Sequence, residues 1–206
     1  ALLKEDKIIA VKGVGGYNFI ASPFSEKAVA DLRALKGREE KPFAVMFYDE
    51  AQVREYCFMT PEERALLNSS ARPIVLLETK KNAFSPLVNK TSRYTGSFLP
   101  SMGLQYLLIE ACGPLIVTSG NLSDSPMIRE DQKMFDLYEE KKELLAAVFY
   151  HDRDIRLVVD DSVVRVIDKR PQMVRRSKGY APVPLYIADD YAVKKEDMIL
   201  ALGGQL

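Results

Sequence analysis

Short runs of Ile, Val, Leu and Phe recur along the chain, and between them apolar positions fall at helical spacing. Lys7 to Lys12 and Tyr17 to Ala21 read as extended segments around the turn Gly13-Val14-Gly15-Gly16. Ser25 is placed to cap a helix to about Lys36, with Ala28, Leu32 and Leu35 on one face. A charged loop from Gly37 to Pro42 leads to a strand from Phe43 to Phe47, and Asp49 caps a short helix toward Cys57. Thr60-Pro61-Glu62-Glu63 carries a capping box with proline at the first helical position. Pro73 to Glu78 reads as a buried strand, and Asn82 to Thr95 as a polar, mobile loop.

Between Tyr94 and Ser123 the only charge is Glu110. Pro100, Gly103, Gly113, Pro114 and Gly120 interrupt that stretch, so it predicts a buried helix from Gly103 to Cys112 and a buried strand from Leu115 to Thr118, not a membrane span. Arg129 to about Leu145 has helical spacing, with Met134, Leu137 and Tyr138 on one side. Ala146 to Tyr150, Ser162 to Ile167 and Gln172 to Arg176 read as strands, the last two joined by a hairpin turn at Asp168 to Pro171. Strands that alternate with helices and end in a hairpin predict an α/β fold with a mixed parallel and antiparallel sheet. Residues 188–206 read as a linker and the start of a following domain after a first domain of residues 1–187.

The 206 residues carry 29 Lys plus Arg against 29 Asp plus Glu, a balance that argues against an extended nucleic-acid or membrane surface but leaves room for a local basic pocket. Two cysteines and one histidine exclude a disulfide scaffold, a thiolate zinc cluster and a histidine-rich metal site. No amino-terminal signal pattern is visible, which predicts a cytoplasmic protein.

The glycine turn fails as a dinucleotide fingerprint, because Asn18 stands at the third glycine position and a strand follows. It reads as a tight turn. Lys36, Arg38 and Lys41 lie where a helix passes into a strand; three cations at this spacing can clamp a polyphosphate, although Glu39 and Glu40 among them also suit a solvated loop. Thr118-Ser119-Gly120-Asn121 closes a buried strand with hydroxyls, an amide and turn N–H groups, which can surround an anion or simply form an Asx turn. Asp160-Asp161 can hold Mg²⁺, orient basic partners or open a strand. Of Arg175 and Arg176, alternation puts one on each side of the sheet. Cys57 and Cys112 read as core residues, and no nucleophile elbow occurs.

Lys36-Gly37-Arg38 with Lys41-Pro42, and Thr118-Ser119-Gly120-Asn121 far downstream, resemble the KxR and SxN signatures of YrdC-like nucleotide-binding domains. Lys41-Pro42-Phe43-Ala44-Val45-Met46, His151-Asp152-Arg153, Asp160-Asp161-Ser162-Val163-Val164-Arg165 and Arg175 to Pro182 are similar to the YrdC-like domain of HypF carbamoyltransferases in particular. The chain departs from that pattern at Ala21-Ser22, at Ser101 to Gln105 and near Val158. The resemblance implies an open twisted sheet with flanking helices and a concave basic face. It implies ATP-dependent conversion of carbamate, supplied from carbamoyl phosphate, to carbamoyl adenylate and pyrophosphate. The carbamoyl group would then pass to the carboxy-terminal cysteine of a HypE-type acceptor in nickel–iron hydrogenase maturation. Lys36 and Arg38 are expected to be catalytic, with Lys12, Lys41, Ser119, Asn121, Arg153, Arg175 and Arg176 around ATP, and Lys36, Arg38 and Arg176 as the main phosphate contacts. Thr118, Asp160 and Asp161 are expected to orient the carbamoyl end or the nucleotide, and Mg²⁺ to arrive with ATP. The related standalone enzyme is one alternative, a threonylcarbamoyl adenylate synthase for tRNA modification; a reading from a different class is a double-stranded-RNA-binding module that uses the same concave basic face without chemistry.

Overall fold

A computed structural model describes residues 1–122 and 125–184. Among the described residues, nine strands form one sheet: β1 (Ile8–Lys12), β2 (Tyr17–Ala21), β3 (Ala44–Met46), β4 (Ile74–Glu78), β5 (Tyr94–Phe98), β6 (Leu115–Ser119), β7 (Leu145–Phe149), β8 (Val163–Ile167) and β9 (Arg170–Arg175). Their spatial order is β7-β1-β2-β6-β3-β5-β4-β8-β9. The pairs β1/β7, β3/β5 and β4/β8 are parallel and the remaining five antiparallel, the mixed sheet the sequence predicts.

Both faces of the sheet are covered, so alternate strand residues enter two cores. Ile8 and Ala10 pack on one side with Ala28, Val29, Leu32 and Leu35 of α1 (Glu26–Lys36), and with residues of α2 (Glu50–Tyr56), α3 (Pro61–Leu67), α4 (Pro86–Asn89) and α6 (Asp131–Glu140). Ile9 and Val11 pack on the other with Leu3 and with Ile109 of α5 (Gly103–Cys112). The caps follow the local chemistry: Ser25 accepts from the Ala28 N–H, Asp49 from that of Gln52, and Thr60 and Glu63 close a capping box.

Four expectations need correction. Residues 82–95 hold α4 and the first residues of β5. Ser85 caps α4, Pro86 takes its first turn, and Val88 is fully buried. β5 escapes a hydrophobicity reading because its interior positions are Thr95, Gly96 and Ser97, small and polar yet buried. Helix α5 lies on the surface: Ile109 is its buried residue, whereas Leu107 is exposed. The β8–β9 turn is shorter than expected, with Ile167 facing Arg170 and both Asp168 and Lys169 at positive φ. The sixth helix stops at Glu140, and Leu145 already opens β7. The expected linker and following domain at 188–206 lie outside the described residues. Among the described residues, no helix is long and apolar enough to cross a membrane.

Candidate functional site

Strand β6 runs antiparallel to both neighbours, β2 and β3, which brings its Ser119 end beside the start of β3 and the end of α1. Two glycines make the junction. Gly37 ends α1 in the left-handed region at φ 61°, where a side chain is disfavoured, and turns the chain into the 38–42 loop. Gly120 donates to the Tyr17 carbonyl at 2.6 Å, and a Cβ there would lie 2.8 Å from that oxygen. The result is an open cleft of about 430 Å³ whose lining includes Lys36, Arg38, Lys41, Ser119, Asn121, Asp160 and Arg175, together with Glu39 and Glu40.

Lys36 is nearly fully buried, with its ammonium 5.5 Å from the centre of the Phe19 ring. It donates to the Ser119 carbonyl at 2.5 Å and to the Asn121 carbonyl and Oδ1 at 2.9 Å each. The Ser119 hydroxyl donates to the same Asn121 Oδ1 at 2.6 Å, and Asn121 Nδ2 donates to the Ser125 carbonyl at 2.5 Å. Lysine, serine and asparagine are thus locked together at the cleft floor. Burial, then repulsion by Arg38 and Lys41, pulls the Lys36 pKa down to about 7.

Arg38 stacks on Phe43 at 4.8 Å, and its guanidinium donates to the carbonyls of Lys41 and Pro42. Burial, then the charges of Arg33 and Arg175, lowers its pKa to about 10. The side chain is half-buried with other cations around it, an arrangement that an incoming anion relieves. On the far wall, Arg175 Nε donates to the Asp161 carbonyl at 2.8 Å, and Asp161 pairs with Lys178 at 2.5 Å.

The expected residues therefore divide. Lys36, Arg38, Lys41, Ser119, Asn121, Asp160 and Arg175 meet in one cleft. Asp161 supports its wall, and Thr118 is buried in β6, paired with Phe19. Arg176 turns to the opposite side, where it donates to the carbonyls of Tyr180 and Val183 beside an apolar groove lined by Leu66 and Met173. Lys12 lies outside the cleft lining, its ammonium 2.7 Å from Asp131 and 2.9 Å from the His151 carbonyl. Tyr17 completes that cluster with a 2.7 Å bond to Asp131, whose pKa falls because the bonds from Lys12 and Tyr17 outweigh the effect of burial. Arg153 is exposed and stands outside the cleft lining. The glycine turn is a hairpin link, closed by Gly13 N–H to the Gly16 carbonyl at 2.8 Å. Sequence reasoning missed Arg33, whose guanidinium lies beneath the loop; its spacing of three from Lys36 on one helix is the signal that could have found it.

Comparison with known proteins bears on this arrangement. The profile of the family described as telomere recombination (Sua5, YciO, YrdC) matches residues 1–177. The carbamoyltransferase HypF of Rhodobacter capsulatus is 36% identical over 208 residues, which covers 100% of this chain and 27% of that protein. The crystal structure of a full-length HypF in a phosphate- and nucleotide-bound form superposes with a TM-score of 0.81 at 38% identity, over 87% of this chain and 28% of that one. Sua5 of P. abyssi, solved with L-threonine, shares the fold at a TM-score of 0.73 and 19% identity, over 85% of this chain and 52% of that one. The chain spans 26–27% of the length of the curated HypF relatives it matches.

Proposed function

The chain belongs to the Sua5/YciO/YrdC family, and from that premise we propose that its cleft binds ATP and activates a carbamoyl group as carbamoyl adenylate. The observation that carries this reading is the convergence of Lys36, Ser119 and Asn121 with Arg38, Lys41 and Arg175 around one cleft. The phosphate- and nucleotide-bound state of the HypF relative supports it, and its sequence identity favours a carbamoyl substrate over threonine.

In the reaction, carbamoyl phosphate is first hydrolysed to carbamate with loss of inorganic phosphate; a carbamate oxygen then attacks the α-phosphorus of ATP and the bond to the bridging oxygen of the β-phosphate breaks. Carbamoyl adenylate forms and pyrophosphate leaves with its Mg²⁺, which enters as part of the substrate. No protein nucleophile is needed, so catalysis consists of alignment and neutralisation of phosphate charge. Arg38 and Arg175 grip the leaving phosphates from opposite walls. The Lys36–Ser119–Asn121 lock fixes the floor on which the α-phosphate or the carbamate rests. In the longer HypF-type protein the carbamoyl carbon would then be attacked by a cysteine thiolate of a HypE-type acceptor, with AMP leaving.

Pyrophosphate release from ATP tests the reading, with carbamoyl phosphate compared against threonine plus bicarbonate. Release with the first alone is expected. Arg38→Ala should lower it at least about tenfold, since a charge-assisted phosphate contact is worth more than a neutral one. Release with threonine plus bicarbonate alone would transfer the assignment to threonylcarbamoyl adenylate synthesis, and unchanged turnover in Arg38→Ala would sink the site.

A further inference from the structure

We propose that Arg33 is a positioning residue that fastens the 38–41 loop to α4 and so sets Arg38 and Lys41 at the spacing a polyphosphate needs; this rests on the cleft being a triphosphate site. Arg33 sits in the last turn of α1 and is 8% exposed. Its Nη1 donates to the carbonyls of Arg38 at 2.9 Å, Glu39 at 3.0 Å and Lys41 at 3.3 Å. Its Nε and Nη2 donate to the Leu87 carbonyl at 2.9 and 2.6 Å, and Nη2 also reaches that of Val88 at 3.4 Å. The guanidinium lies 4.7 Å from the centre of the Phe43 ring. Two further links tie the same pieces: Phe43 N–H to the Val88 carbonyl at 3.0 Å, and Lys90 to Glu40 at 3.7 Å.

Every one of these Arg33 hydrogen bonds ends on a backbone carbonyl, and none on a carboxylate. A buried cation with no carboxylate in hydrogen-bonding contact is a poor stabiliser, because its desolvation is only partly offset by the more distant charge of Glu40. It also repels Arg38. What it supplies is shape. Five carbonyls from two segments converge on one planar fork, which only a guanidinium can satisfy, since lysine offers three donors from a single point. The loop carbonyls are thereby turned inward, away from an anion in the cleft, while the net positive charge stays.

Arg33→Lys keeps the charge and loses the fork. Calorimetric titration with tripolyphosphate should show roughly tenfold weaker binding than the unmodified chain. Hydrogen exchange should speed up at residues 38–41 and 87–88 and stay unchanged in β1 and β2, which a general loss of stability would not do. Should Arg33→Lys fold poorly, Arg33→Ala with about 20 mM guanidinium, well below denaturing levels, should regain binding at least about threefold over the same concentration of sodium salt. Unchanged affinity and exchange in Arg33→Lys, or no recovery with guanidinium, would overturn the proposal. If the unmodified chain binds tripolyphosphate but releases no pyrophosphate from ATP, the adenylation reading falls and this one stands. If it does not bind tripolyphosphate, both fall.

Discussion

Lys36 is the residue on which the cleft's pH behaviour depends. Its pKa falls from the ordinary 10.5 to about 7, through burial first and then the charges of Arg38 and Lys41. Between those values the unfolded chain binds a proton at this site that the folded chain releases, so stability rises with pH across that window. Below pH 7 both states hold the proton and the cost of burying the charge is fully present. The unfolding free energy of the unmodified chain, measured against Lys36→Met by urea titration, should therefore improve as pH is raised from 7 toward 10. A difference that stays flat over this range would mean that Lys36 keeps an ordinary pKa in the fold. The comparison with a variant matters because Cys57 works the other way: burial, only partly offset by its contact with Ser97, raises its thiol pKa to about 11, which erodes stability at the alkaline end.

At the scale of the element, β9 decides which of two adjacent arginines serves the cleft. Arg175 closes the strand opposite Val163 and faces the cleft, while Arg176 follows it and turns away. Arg175→Ala should weaken nucleotide binding about tenfold and Arg176→Ala less than about twofold, read by titration with ATP. Equal losses would show that both reach the ligand. The sequence made this division legible without saying which arginine faced which way, because alternation fixes the difference between neighbours and not the register against β8. Strands built from Ile and Val and helices opened by Ser25, Asp49 and Thr60 were legible for the same reason: each is specified by local chemistry. β5 was not, since its buried Thr95 and Ser97 satisfy their hydroxyls in the interior, Thr95 with Thr79 at 2.7 Å and Asn89 at 2.8 Å. Nor was Arg33, whose partners are carbonyls that no side-chain pattern announces.

The whole molecule concentrates charge that its totals conceal. The chain is formally neutral, and the cleft mixes Lys36, Arg38, Lys41 and Arg175 with Glu39, Glu40 and Asp160. Attraction to an anion is therefore local and shielded by the walls, not a long-range field. ATP binding should weaken only several-fold between about 0.1 and 0.5 M salt, and double-stranded RNA should not bind measurably near physiological salt. RNA binding that is tight at low salt and falls steeply as salt rises would contradict this. Sheet order makes the concentration possible: β8 returns from far along the chain to lie parallel to β4, and the segment before it delivers Asp160 to the wall opposite α1. The helix itself opposes the arrangement. Gly37 leaves α1 with its carboxy-terminal end at the cleft, the negative pole of its macrodipole, whereas anion sites elsewhere commonly exploit the positive amino-terminal pole. The basic side chains must first cancel that pole before they attract a phosphate. A phosphate bound here would then rest on charged side chains held in place by the loop and the cleft floor rather than on the dipole of a helix.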